Sequence, residues 1–335
     1  MNVIRENDFR EVFQNQDVWL DVRAPVEFAA GSIPGAINLP ILNDPEREEI
    51  GTLYKLEGSQ AAISRGHQLV SGEIKSRRIQ SWLDFLKRRP ETLLYCFRGG
   101  LRSQTAQVWI REAGVNVPLV EGGYKSLRRF LRQVIEDESP KLHLIVVTGR
   151  TGAGKSDFLR QRPHIDLEKV ANHRGSAFGG FRTPQPTQID FENRLALQIL
   201  RRRADLLYIE DESRMIGKLS LPEALYRRMK ESPVYELEVS FEDRVQRIYR
   251  EYVLESPLGQ NNDAAHFQVF KQAINAISKK LGGARTAEIL LDLRYAEGEF
   301  REGRGHTANL IWIEKVLAWY YDPLYAKSAS SPKPN

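Results

Sequence analysis

Hydrophobic and polar positions fall into short blocks that change period along the chain. Apolar runs at 18–22, 92–95 and 117–120 are bounded by charged or turn-forming residues, as buried strands are. The segments after them carry apolar residues three and four apart, as amphipathic helices do. In order, this predicts a strand at 18–22 and a helix at 25–30, opened by Pro25 and closed by Gly31. A turn and short strand follow over 32–40. Residues 44–76 look polar and less regular, with helical pieces around 59–71. Then come helix 79–86, strand 92–95, helix 103–112, strand 117–120 and helix 124–134. The polar break Glu136-Asp137-Glu138-Ser139-Pro140 is the best domain boundary. Beyond it the pattern predicts strands at 142–147, 206–209 and 234–239. Helices are expected at 156–160, 191–203, 244–254, 267–281, 286–295 and 307–320. Strands alternating with helices imply parallel α/β sheets. The expected organisation is an N-terminal α/β domain over 14–137, a second α/β domain with C-terminal helices over 141–326, and a Ser/Pro-rich, disordered tail over 327–335.

With 335 residues, 41% hydrophobic and 28% charged, the chain has the composition of an ordinary two-domain globular protein. No apolar run approaches the roughly 20 residues of a membrane span, and the first residues carry no signal-peptide pattern. A cytoplasmic location, with no membrane partner, is expected. The net charge of +5 is modest, yet basic residues cluster at Lys87-Arg88-Arg89 and Arg201-Arg202-Arg203, which suits a polyanion. Taken singly, such clusters are more often solvated helix faces.

Chemistry concentrates in two loops. The first is Tyr95-Cys96-Phe97-Arg98-Gly99-Gly100-Leu101-Arg102-Ser103, holding the chain's only cysteine. A strand, a glycine-rich loop and a helix start place backbone N–H groups and the positive end of a helix around the sulfur. With Arg98 and Arg102 they favour the thiolate, the nucleophilic form. Packing of Cys96 as a small apolar residue is the competing reading; two arginines and two glycines within so short a loop argue against it. A single cysteine leaves no resolving thiol and no cysteine-cluster metal site.

The second loop is Gly149-Arg150-Thr151-Gly152-Ala153-Gly154-Lys155-Ser156, a G-x4-G-K-S pattern with a predicted strand before it and a helix after it. Gly149, Thr151, Gly152 and Gly154 shape a cradle for a di- or triphosphate. Lys155 pairs with its oxygens, and Ser156 can hold Mg²⁺. Neither a firmly assigned metal nor a tightly bound cofactor is expected. The run Ile209-Glu210-Asp211-Glu212 stands where an acidic Walker B strand end belongs, with the roles of Glu210 and Asp211 open. His173 and Arg174, in a long polar loop, are candidates for substrate or diphosphate, though a structural role suits His173 better.

The first half resembles the rhodanese family. Asp21-Val22-Arg23-x3-Glu27-Phe28-x2-Gly31-x-Ile33-Pro34-Gly35-Ala36 is similar to its first signature, and Val120-Glu121-Gly122-Gly123-Tyr124 to its closing segment. Cys96 falls at the family's persulfide position, with Asp21, Gly99 and Gly100 in support. Two departures stand out. Ser32 replaces the usual histidine, and five residues separate Cys96 from Arg102, the spacing of cysteine phosphatases. A longer loop makes a wider cup, suited to a tetrahedral anion.

A rhodanese-like domain ahead of a P-loop domain, together with Ile209 to Gly217 and Tyr320-Tyr321-Asp322-Pro323, resembles the bacterial tRNA 2-selenouridine synthases over essentially the whole chain. That resemblance implies a transferase acting on tRNAs for Lys, Glu and Gln that carry 2-thiouridine at the wobble position. Selenophosphate, supplied by its synthetase, would be the selenium donor. The reaction would pass through an S-geranylated uridine made from geranyl diphosphate. Cys96 would carry selenium, and the P-loop domain would bind the prenyl diphosphate. Three rivals remain: a cysteine phosphatase fused to a P-loop kinase, a plain rhodanese-type sulfurtransferase, and a non-catalytic RNA-binding module.

Overall fold

The computed structural model describes residues 3–15, 18–173, 184–255 and 264–329. Arg174 lies outside them. The chain divides into two compact units. One holds residues 1–142, 185–203 and 218–228, the other 143–184, 204–217 and 229–335.

The first unit begins with β1 (Val3–Ile4), α1 (Phe9–Asn15), β2 (Trp19–Asp21), α2 (Pro25–Ala29) and β3 (Ala36–Asn38). Three helices follow, α3 (Asp44–Glu57), α4 (Ser59–Leu69) and α5 (Gly72–Arg88), then β4 (Leu93–Tyr95), α6 (Leu101–Glu112), β5 (Leu119–Val120) and α7 (Gly123–Glu138). The strands form one sheet in the order β1-β5-β4-β2-β3. Every pairing is parallel, with Leu20 beside Leu94 and Leu94 beside Leu119. Leu93, Leu94 and Tyr95 are all buried, as expected where helices cover both faces of a parallel sheet. The loop carrying Cys96 therefore leaves the C-terminal edge of an interior strand, where open α/β sheets place ligands.

The stretch 44–76, expected to be less regular with helical pieces around 59–71, is almost wholly helical, broken only at Gly58 and at 70–71. Asn43 caps α3 by accepting from the Glu46 N–H at 2.9 Å, and Glu46 answers back to the Asn43 N–H at 2.7 Å, a capping box. No residue of α3 is fully buried, so the helix has no strong apolar stripe for a pattern to reveal. α5 buries Trp82, whose indole N–H donates to the Leu39 carbonyl at 2.9 Å. Burying such a side chain contributes about 1.5–3 kcal/mol.

The chain continues with β6 (His143–Thr148), α8 (Lys155–Arg160), β7 (His164–Ile165), α9 (Leu167–Ala171), α10 (Gln188–Leu200) and β8 (Leu206–Glu210). Then come β9 (Met215–Ile216), β10 (Leu219–Ser220), α11 (Glu223–Lys230), β11 (Val234–Glu236), α12 (Phe241–Ile248), α13 (Ala264–Leu281), α14 (Gly283–Arg301), α15 (Asn309–Val316) and α16 (Asp322–Ala329). The second unit's sheet has the order β11-β6-β8-β7, again wholly parallel. Its helical core joins Phe270, Ile274, Ile277, Ile289, Leu293 and Trp312. The helix α16 runs to Ala329, so 327–329 are helical rather than part of a disordered tail. Pro323 sits in the first turn of α16, where its missing N–H costs nothing.

Chain order and packing part company at α10. This helix follows the P-loop in sequence, yet it belongs to the first unit. There Asp190 accepts from the Ser32 N–H at 2.8 Å, and the Asn193 side-chain amide donates to the Ser32 carbonyl at 2.7 Å. Ile189 lies so close to Gly31 that a Cβ there would come within 2.5 Å of it.

Candidate functional site

Cys96 is 3% exposed, at the floor of the loop between β4 and α6. Its Sγ lies 3.1 Å from the hydroxyl of the fully buried Ser103, and that hydroxyl also reaches the Gly100 carbonyl at 3.1 Å. The spacing from Cys96 to Ser103 thus puts a hydroxyl beside the sulfur from the first turn of α6.

The closing Glu121-Gly122-Gly123-Tyr124 segment holds this loop from beneath. The Tyr124 N–H donates to the Cys96 carbonyl at 2.8 Å, and the Lys125 N–H to the Phe97 carbonyl at 3.0 Å. Gly123 has φ +58°, and a Cβ on it would stand 2.3 Å from the Cys96 carbonyl oxygen. Gly99, at φ +66°, would meet the Gly122 nitrogen at 2.9 Å. Only glycine fits that crossing.

Arg98 and Arg102 line the same cavity as Cys96. Arg98 is exposed. Arg102 is engaged by Glu27, which accepts from both terminal guanidinium nitrogens, one of them at 3.1 Å. Burial works against the charge on Arg102, but the Glu27 carboxylate more than offsets it and raises the guanidinium pKa further. Burial likewise opposes the Glu27 charge, and hydrogen bonding to Arg102 overrides it, holding that carboxyl below its usual range. Asp21, expected as a supporting residue, braces Arg23, which lines the same cavity as Cys96. It is fully buried and bonded to Arg23 at 2.7 Å, while Arg23 lies 3.8 Å over the Tyr124 ring. Removing one partner of such a buried pair costs about 3–5 kcal/mol.

In the second unit, β6 turns into the P-loop and α8. Gly149, Gly152 and Gly154 have φ of +149°, +83° and +84°. Lys155 curls back to the Gly149 carbonyl at 3.0 Å and lies 3.5 Å from Glu210. Burial opposes its charge, and the Glu210 carboxylate outweighs that, raising its pKa. Arg244 donates to the Thr151 carbonyl at 3.2 Å, and Arg247 to the Gly152 carbonyl at 3.2 Å. Asp322, from the Tyr320-Tyr321-Asp322-Pro323 motif, grips Arg244 at 2.9 and 2.8 Å. The motif's role is thereby to buttress the P-loop.

Glu210 and Glu212 face the P-loop, whereas Asp211 turns away to Lys230 at 3.4 Å. Sequence reading missed Glu168, on α9. It accepts from the Ser156 hydroxyl at 3.1 Å, and it gathers with Glu210 and Glu212 so that one oxygen of each lies within 4.8 Å of the others. Burial, then repulsion from Glu210, pushes Glu168 up to about 7 and Glu212 up to about 8. Glu210 is also raised, chiefly by burial. No motif marks a lone glutamate after Asp166, so only the fold reveals it. His173 closes α9, donating its backbone N–H to the Glu168 carbonyl at 3.0 Å, and its half-buried ring is held below the usual histidine range by burial.

Two family models match: a rhodanese-like domain over residues 7–129 and a tRNA 2-selenouridine synthase AAA domain over 142–334. Among curated relatives, the tRNA 2-selenouridine synthase of Bordetella petrii is 48% identical, over 96% of this chain and 89% of its own length. That of Pseudomonas syringae pv. tomato is 45% identical, over 96% and 90%. That of Bdellovibrio bacteriovorus is 43% identical, over 97% and 92%. Similarity of this extent spans both units, and the chain belongs to the tRNA 2-selenouridine synthase family of transferases.

Proposed function

We propose that the protein replaces sulfur by selenium in 2-thiouridine at the wobble position of tRNAs for Lys, Glu and Gln. Selenophosphate is the donor, and the reaction passes through an S-geranyl-2-thiouridine made from geranyl diphosphate. The observation that carries this reading is that a Cys96–Ser103 pair under an arginine-lined loop and a complete P-loop with Lys155 occur in one family member.

The first step is alkylation. The thiocarbonyl sulfur attacks the allylic carbon of geranyl diphosphate, the C–O bond breaks, and diphosphate leaves. Lys155 and the N–H groups around Gly152 and Gly154 stabilise the charge that develops on it. Alkylation converts a poor leaving group into a thiol. In the second step the Cys96 thiolate attacks the phosphorus of selenophosphate and displaces selenide. The selenide attacks the base and expels geranyl thiol, and water hydrolyses the phosphocysteine. Overall, selenophosphate, the S-geranyl base and water yield the selenouridine, phosphate and geranyl thiol, with selenium at the same oxidation level throughout. Arg98 and Arg102 bind the phosphate portion, and Ser103 donates to the Cys96 sulfur whenever it is a thiolate.

A magnesium ion suits the second unit. Ser156, Glu168, Glu210 and Glu212 form a set of hard oxygen donors of the kind Mg²⁺ takes. When bound, it would neutralise diphosphate charge.

The test is substrate omission with the wild-type protein and 2-thiouridine tRNA, read by nucleoside mass spectrometry. Geranyl diphosphate alone should give the S-geranyl nucleoside, selenophosphate alone no change, and both together 2-selenouridine. Selenouridine formed without geranyl diphosphate would sink the two-step reading.

A further inference from the structure

Beside Cys96 the first unit has a cavity of about 1090 Å³ that is partly open to solvent. Pockets of roughly 300–1,000 Å³ hold drug-sized molecules, so a small tetrahedral anion at Arg98 and Arg102 would leave most of this one unfilled. Its lining includes an aliphatic set, Ile41 and Val70, both buried, with Ile50 from α3 and Ile63 from α4, beside the exposed charged residues Arg47 and Lys55 of α3. α3 also brings Arg47 within 3.8 Å of Glu27, the carboxylate that holds Arg102.

The cavity is a poor slot for a nucleobase beside that aliphatic set. Tyr54, His67 and Trp109 border it there; Trp82 stacks on Trp109 at 6.3 Å, His67 meets it edge-on at 6.3 Å and the Lys75 ammonium lies 4.5 Å from its centroid. Trp109 is 7% exposed, so little of its ring is left as a stacking platform. Branched aliphatic side chains on several sides suit a flexible hydrocarbon chain. The polar end, at Cys96 and the two arginines, suits the group from which that chain hangs.

We propose that this cavity binds the prenyl chain of the S-alkylated uridine, with the alkylated sulfur at its Cys96 end. The inference rests on the S-geranyl intermediate proposed above and adds a place for its hydrocarbon. Selenide released at Cys96 then reaches the base while the departing thiol already lies in an apolar pocket.

The experiment measures binding of the full-length protein to anticodon stem-loop RNAs carrying S-methyl-, S-dimethylallyl- or S-geranyl-2-thiouridine, by fluorescence anisotropy. Affinity should rise with chain length, by at least about tenfold from methyl to geranyl, since each buried methylene strengthens binding. In Ile63→Asp, a half-buried position, that preference should shrink to about twofold or less. Ala62→Phe, which fills the cavity from α4, should shrink it as well. Thermal unfolding of each variant checks the fold, and the wild-type chain-length series needs no variant at all. Equal affinity of wild type for all three RNAs, or full preference in both folded variants, overturns the proposal. The assay uses ready-made S-alkyl RNA, so the pocket is judged separately from the reaction. A wild type that prefers the geranyl RNA yet never geranylates thiouridine would uphold the pocket and refute the reaction sequence.

Discussion

At the scale of single residues, geometry around the Cys96 loop is set by contacts that leave no room for a methyl group. Gly123 combines φ +58° with a neighbouring carbonyl 2.3 Å from where its Cβ would stand. Gly123→Ala should therefore lower the unfolding free energy by about 1–3 kcal/mol, read by urea denaturation. An unchanged midpoint would mean that the loop yields without strain. Arg102 and Glu27 show how far sequence carries at this scale. The spacing from Cys96 marked Arg102 as a cup residue, and it does line the cavity, but only the fold shows Glu27 holding it. Glu27 lies within the rhodanese-like signature, where nothing in spacing reveals its partner. Glu168 is a sharper case, because one glutamate on a five-residue helix carries no pattern at all.

At the scale of elements, strands and helices that bury apolar stripes were legible, and those held by polar contacts were not. β4, β6 and the helices after them follow their patterns closely, whereas α3 lacks any fully buried residue. α10 illustrates a second limit: its amphipathic pattern predicts a helix but not which unit it joins. Its polar partners Asp190 and Asn193 decide that through Ser32. A related junction lies at the end of α7, where Glu138 accepts from Arg10 at 2.9 Å and Arg202 at 2.8 Å. Hydrogen bonding to Arg202, stronger than the opposing effect of burial, holds the Glu138 carboxyl below its usual value. A carboxyl with a depressed folded-state pKa stabilises above its unfolded pKa, near 4.5, and loses that contribution as pH falls through the folded value. Glu138→Gln should thus lower stability by roughly 1 kcal/mol at pH 7. The gap to wild type should narrow as the pH drops below that carboxylate range. A gap that is constant with pH, followed by thermal melts, would show that the carboxylate charge is not what joins these segments.

For the whole molecule, the two loops with the clearest chemistry each sit at the C-terminal edge of their own parallel sheet. Both sheets and both loops were legible because strand–glycine loop–helix is a local pattern, written in consecutive residues. The buttresses were not: Asp322 reaches Arg244 and through it the P-loop carbonyl of Thr151, a link of long sequence separation. The Tyr320-Tyr321-Asp322-Pro323 motif was visible in the sequence, but its purpose required the fold.

The central claim is a division of labour, with alkylation at the Lys155 loop and selenium delivery at Cys96. Nucleoside mass spectrometry of 2-thiouridine tRNA, incubated with both small substrates and either Cys96→Ser or Lys155→Ala, tests it most directly. Cys96→Ser should stop at the S-geranyl nucleoside, and Lys155→Ala should leave at least about ninety-nine percent of the thiouridine unmodified, the loss expected when a principal charge-stabilising group is removed. Selenouridine made by Cys96→Ser, or full geranylation by Lys155→Ala, would contradict that division.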